Sequence, residues 1–443
     1  MYLSLPERAH HILFFTKRLM ALGLFLFLAI SVHAQKTWLP TTGGSWATGA
    51  NWSGGVAPVA GDVVIINSDQ SANITDVPTI SLSSLSVIGN CTLQAATSGN
   101  TITVTGSFVV SSGKTLTIGV TGGRLNFTLA ASGSGTVEGT AILNAGGTAR
   151  TFLVNGNLSI PSGGLLSGAG TSNFTLAAGG TLQIGSANGI ATTGATGSIQ
   201  VTGTRTYSTA ANYIFIGNTN QITGAGLPAT VSSLTINNTG GGGNNTVDLS
   251  GSVTISNALT GSSGNLNLGA NNILNVASVS LTGTSIGGTG TLTLGGDITT
   301  NASANTATIS APVALTGTRT LTVADGTANP DLLISSAVSG AFGLIKQGAG
   351  TYASSGTSTY SGGTTLTSGR LHINSTSAIG SGTLIINGGA LDNSSGGPIT
   401  LSANNAQNWN ADFSFDGSNN LNLGTGAVTI TANTEVTAAA NTL

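Results

Sequence analysis

The stretch "GTLTLGG", Gly290–Gly296, alternates apolar and polar residues for two steps and then stops at glycine. It has close copies in "GKTLTIG" from Gly113, "GGTLQIG" from Gly179, "GNLNLGA" from Gly264, "GTLIING" from Gly382 and "NNLNLGT" from Asn419. A two-residue period places one side of a strand on a core and the other toward water, and the closing Gly or Asn supplies the positive φ of a tight turn. A longer identity, "NFTLAA", begins at Asn126 and again at Asn173, an offset of 47 residues. If a coil takes about 20 to 25 residues, that offset is two coils. The apolar residues are Val, Ile, Leu and Ala in short runs spread evenly along the chain, as in an elongated repeat.

Such spacing suits either a sandwich or a solenoid. Composition separates them. Of 443 residues only 5% are charged, and 67 are glycine. In a parallel β-helix, equivalent positions stack about 4.8 Å apart, so a repeated charge faces its own kind, whereas Thr, Ser and Asn form hydrogen-bonded ladders. The expected fold is therefore all-β, a parallel β-helix (β-solenoid) of roughly 16 to 20 coils, about 80 to 100 Å long, with an N-terminal cap and scarcely any helix.

The formal net charge is -2, without a basic stripe, so the electrostatic attraction on which nucleic-acid binding depends is missing and nucleic acid is not an expected partner. The leader has a basic start (Arg8, His10, His11, Lys17, Arg18), the apolar run "LMALGLFLFLAISV" and "VHA" ending at Ala34, which together read as a secretory signal peptide over residues 1–34. A membrane anchor is the weaker reading, because the apolar run is shorter than the roughly 20 residues a bilayer requires. Cys91, the only cysteine, is expected as a small buried hydrophobe, so the fold uses no internal disulfide.

Trp38, Trp46 and Trp52 crowd the segment 35–70, before the repeats over 71–340 become regular. A first coil leaves an open core and an open sheet edge, so these rings are expected to form a cap; a carbohydrate-stacking face is the second reading, and it requires an exposed ring. The W…NWs.g..P..gD.vvI pattern here also resembles the start of many secreted bacterial surface proteins.

The segment "GLIKQGAGTYASSGTSTYSGGTTLTSGRLHINSTSAIGSGTLIINGGAL", Gly343–Leu391, resembles the autotransporter-associated β-strand repeat, also called the passenger-associated transport repeat. Lys346, Gly348, Gly350, Tyr360, Gly362, Gly363, Thr364, Gly369, Leu371, Gly380, Gly382, Gly388, Gly389 and Leu391 match its order and spacing. Tyr352 departs from it, standing where an apolar strand residue is usual. The resemblance covers about the last hundred residues, 341–443, and only loosely the repeats before them. It implies a right-handed parallel β-helix in an adhesin-like protein, secreted or displayed on a bacterial surface. The implied partners are extracellular glycans or proteins and an outer-membrane export machinery. Its motif is structural and implies no catalytic residue and no cofactor. On the residues themselves, Gly362 and Gly363 form a tight corner and Tyr360 and Leu366 face a core.

Chemistry-bearing residues are few. His372, on the alternating strand "RLHIN", is expected to be solvated, opposite Leu371 and Ile373. "GTSIG" from Gly283 copies a nucleophile elbow, but no strand-to-helix turn accompanies it. "GKT" at Gly113 lacks the earlier glycine of a phosphate loop, Phe108 standing there. "DFSFDG", Asp412–Gly417, imitates the start of a calcium loop, but Leu423 stands where the closing Glu belongs. The acidic residues from Asp62 to Glu435 look scattered. A non-enzymatic passenger is therefore the first functional expectation. The alternative is a carbohydrate-active lyase or hydrolase, which needs two carboxylates within roughly 5 to 10 Å on one coil face. The chain stops at "TEVTAAANTL" in mid-alternation, so the native product is expected to continue with more repeats and an anchoring domain.

Overall fold

A computed structural model describes residues 34–144, 146–270, 272–431 and 433–443. The leader read as a signal peptide lies outside them apart from Ala34. The described residues form a parallel β-solenoid of about 16 turns. The helix among them is a single short turn at Gly49–Asn51.

One parallel sheet runs the length of the molecule, from Gln35–Thr37 to Val428–Ile430. Its register gives the coil length: Val63 pairs with Ser84, Thr136 with Ser159, Thr235 with Thr260, Thr299 with Thr322 and Thr365 with Ile385, so these coils take 20 to 25 residues. The two "NFTLAA" copies are two coils apart, as expected, because Phe127 pairs with Phe152 and Phe152 with Phe174. Their rings stack inside the solenoid, with centroids 4.5 Å apart for the first pair and 6.5 Å for the second. The short cores quoted above are all strands, and their apolar residues (Leu116, Ile118, Leu182, Ile184, Leu266, Leu268, Leu292, Leu294, Leu384, Ile386, Leu421, Leu423) are buried. They lie in different sheets, however: one strand-and-turn unit is used on each face of the coil, instead of marking one position per turn.

The outer surface carries the polar ladders that stacking favours. Asn301 Nδ2 donates to Thr282 Oγ1 at 2.9 Å, Asn410 Nδ2 to Asn387 Oδ1 at 2.9 Å, and Thr431 Oγ1 to Asn410 Oδ1 at 2.8 Å, each across one coil.

At the N-terminus Trp38, Trp46 and Trp52 pack edge to face, Trp52 lying 4.8 Å from Trp38 and 4.7 Å from Trp46. They join the same apolar core as Val64 and Ile66. The interior column changes in the middle. The column of Phe127, Phe152 and Phe174 is continued by Arg205, which is buried and donates to the carbonyls of Val201, Ala191 and Gly194. Beyond it the seven-stranded sheet, which ends at Ile199–Gln200, gives way to two new ones, starting at Gln221–Ile222 and Thr230–Val231. At the far end Val428 and Ile430, in register with core positions of the preceding coil, are 47% and 57% exposed.

The motif residues of Gly343–Leu391 explain one another. Lys346 is 1% exposed, its stem in the core and its Nζ donating to the carbonyls of Gln347, Gly348 and Ser368 at 3.1, 2.9 and 3.0 Å. It thereby ties the turn of one coil to the turn of the next. Burial lowers its pKa to about 8, a shift that the nearby Asp331 opposes. Gly369 sits over this knot at φ +73°, where an added Cβ would stand 2.2 Å from the Gly348 carbonyl oxygen. Tyr360 and Leu366 are buried as expected, and Tyr360 Oη lies 2.6 Å from Thr364 Oγ1. Tyr352 is accommodated in the core.

Two substitutions test this packing. Leu384→Asp puts an unpaired charge at a position with no exposure and should cost about 3–5 kcal/mol. Gly369→Ala should cost about 1–2 kcal/mol from its φ alone and more from the carbonyl clash. Because solenoid coils unfold semi-independently, limited proteolysis near the altered coil is a sharper readout than the melting temperature, and unchanged cleavage would contradict either placement.

Candidate functional site

Among the described residues, polar and charged side chains gather on one face of the later coils. The floor of this site is the outer face of the strands Leu332–Ile334, Thr351–Ser354, Arg370–Ile373, Ala390–Asp392 and Phe413–Phe415. Its wall is the loop Asp325–Pro330. That loop is held by Ser303, whose carbonyl accepts from Thr327 and Ala328, and by Asp331. Asp331 accepts from Gly326 N through one oxygen and from Thr351 N through the other, both at 2.8 Å, locking the loop to the next coil. Between loop and sheet lies a groove of about 800 Å³.

Register decides what meets in it. Ala353 pairs with His372, and His372 with Asp392; Leu391 pairs with Phe415, so Asp416 follows Asp392 in the same column. His372 Nε2 is 3.8 Å from Asp392 Oδ2, and its Nδ1 is 3.0 Å from Ser394 Oγ. Asp392 accepts from Ser418 N at 2.8 Å and from Ser418 Oγ at 2.6 Å. Arg370 Nε reaches two coils along to Asp416 Oδ2 at 2.9 Å. Asn374 and Ser394 are joined by Nδ2 to Oγ at 3.0 Å and by N–H to Oδ1 at 2.9 Å.

Two sequence expectations change here. The acidic residues are not all isolated, since Asp392 and Asp416 occupy adjacent coils on one face, with strands roughly 4.8 Å apart. His372 is not solvated but 5% exposed. Alternation does turn it outward, away from Leu371 and Ile373, but its neighbours in the column are the small Ala353 and the buried Asp392, and Ser394 bonds its Nδ1. Thr351–Ser354 and Ala390–Asp392 are likewise buried on both faces, whereas most strands are buried on one. The visible signal was the small outward residues Ala353 and Ala390, which let a sheet face be covered.

Apart from Asp416, the remaining candidates stand outside this groove. The Trp38, Trp46 and Trp52 rings are 0–1% exposed and offer no face to a sugar; the Trp38 and Trp52 indole N–H groups are spent on Gln70 Oε1 and the Trp46 carbonyl. They are cap core, because burying three rings is worth more than presenting them. Asp412 and Asp416 flank the strand Phe413–Phe415 and turn to separate partners, Asp412 accepting from Glu435 N and Asp416 pairing with Arg370. Cys91 is buried, and its thiol is pushed up to about 12 by desolvation, as an inert hydrophobe should be. No protein family, curated protein or solved structure compared with this chain matches it.

Burial lowers the His372 pKa, and the opposing pull of Asp392 and Asp416 does not restore it. Below about pH 6.5 the unfolded chain takes up a proton that the folded one refuses. His372 therefore removes stability as the pH falls below that value and has no such effect above it. Comparing melting temperatures at pH 7.5 and 5.5, His372→Gln should lose less on acidification than the parent chain. Equal losses would mean that the imidazole titrates as freely as in solution.

Proposed function

We propose that the chain is a secreted or surface-displayed, adhesin-like β-helix passenger that binds and does not catalyse. The observation that carries this reading is the role of the repeat motif: Lys346, Gly348 and Gly369 knot successive turns, and Tyr360 and Leu366 fill the core, so the motif builds wall. This is what the resemblance to the autotransporter-associated repeat implies, and it agrees with a rigid stack whose exterior is hydroxyls and amides. Extracellular glycans or proteins are the partners in this reading, met by many parallel contacts along the rod.

The state of the groove's acids agrees with binding. Both Asp392 oxygens are taken by Ser418 and Asp416 is paired with Arg370, while Asp325 lies exposed on the wall loop. Glycoside hydrolysis uses two carboxyls, one of them free to take and return a proton, and in this reading Asp325 has no second carboxyl free to work with it.

A carbohydrate-active enzyme is the second reading, favoured by the adjacency of Asp392 and Asp416. Incubated with neutral and acidic polysaccharides, the purified chain should release neither reducing ends nor unsaturated sugars. Release that disappears in Asp416→Asn would replace the passenger reading with the enzymatic one.

A further inference from the structure

We propose that the groove beside Asp325–Pro330 is a binding cleft for an uncharged oligosaccharide. This rests on the passenger reading and adds the ligand class to it.

The first argument is the placement of charge. Stacking keeps charge off the faces of this solenoid, and only 5% of the chain is charged. Yet Arg370, His372, Asp392 and Asp416 share one patch across three adjacent coils, with two carboxylates in neighbouring positions of a column. Nothing beneath requires it, because Leu371, Ile373, Leu391 and Phe415 form an ordinary core under the same strands. A local rule broken without structural benefit is where function is expected.

The second argument is the hydrogen-bonding pattern. Arg370 spends its Nε on Asp416, with the pair 53% and 33% exposed at the side chain, which leaves guanidinium N–H groups beside a carboxylate with accepting capacity to spare. Adjacent sugar hydroxyls, each both donor and acceptor, match a donor fork set next to an acceptor. Asn374 and Ser418 add further polar groups at the coil spacing. Leu333 and Pro330, both partly exposed, supply an apolar edge for the C–H face of a pyranose ring. A volume of about 800 Å³ falls within the usual range for ligand clefts.

The third argument is sign. Asp325, Asp392 and Asp416 outnumber Arg370, and burial of His372 favours its neutral form. The lining is net negative, so uronates, sulfates and phosphates are repelled. The one cation is already paired.

The test is titration calorimetry of the purified chain with three probes: neutral hexose and N-acetylhexosamine oligomers, oligogalacturonates, and chitosan oligomers. Neutral oligomers should bind. Arg370→Ala and Asp416→Asn, both at partly exposed side chains, should each weaken that binding roughly tenfold or more at unchanged melting temperature, while Thr235→Ala on the long sheet leaves it intact. Preference for the anionic or the amine-bearing oligomers overturns the assignment, as does neutral binding that both groove variants retain, or no binding of any oligomer. Adhesion of the parent chain and of Arg370→Ala to cell surfaces, measured in parallel, separates the two readings. Equal adhesion without sugar binding ends the cleft and leaves the passenger, whereas sugar binding without adhesion ends the passenger reading.

Discussion

The constraint on which everything else rests is in-register stacking of parallel strands at roughly 4.8 Å. Every residue in a coil has a near-copy of its own position above and below, so a side chain is selected for its company with its like. Aliphatics and rings gain by this, as Phe127, Phe152 and Phe174 show. Asn and Thr gain as well, because each donates to the next and accepts from the last. Charge loses, which is why a chain of this length has 11 basic and 13 acidic residues.

A stack that rewards continuation must be sealed where its pattern changes, and the chain spends its unusual residues there. Three tryptophans close the first coil. Where the Phe column ends, Arg205 takes the next place and donates to the carbonyls of Val201 and Ala191. Lys346 repeats the device inside the later coils: a long apolar stem occupies core, and an ammonium collects turn carbonyls. A buried cation is costly by itself. Three carbonyl acceptors and the field of Asp331 offset that cost, and the neighbouring glycines leave the space it needs.

These local devices set what could be read from sequence. The period of two, the 47-residue offset, the inward Tyr360 and Leu366 and the buried Cys91 all follow from contacts within a coil or between identical positions of successive coils. The groove follows from neither. Asp325, the Arg370–His372 pair, Asp392 and Asp416 lie in separate coils of unequal length, so their convergence depends on the register, which a shift of one residue would dissolve. The burial of His372 is hidden from the sequence for a related reason. Alternation tells which way a side chain points but not whether the next coil brings an Ala or an Asp beside it, or whether a loop anchored at Ser303 walls in that face.

The same register explains how the patch persists. Two aspartates in adjacent coils repel, and in a plain column they would be removed. Here each is given a different counterweight: Ser418 supplies Asp392 with two donors from the coil above, and Arg370 spans two coils to reach Asp416. Arg370 can do this because the register holds Arg370, Ala390 and Ser414 in one column, which keeps an outward side chain within reach of a residue 46 positions on. The rule that excludes charge from the rest of the wall thus provides the alignment that stabilises it here. A rigid scaffold of this kind fixes the spacing of polar groups before any ligand arrives, and that preorganisation is what a shallow groove needs to bind at all.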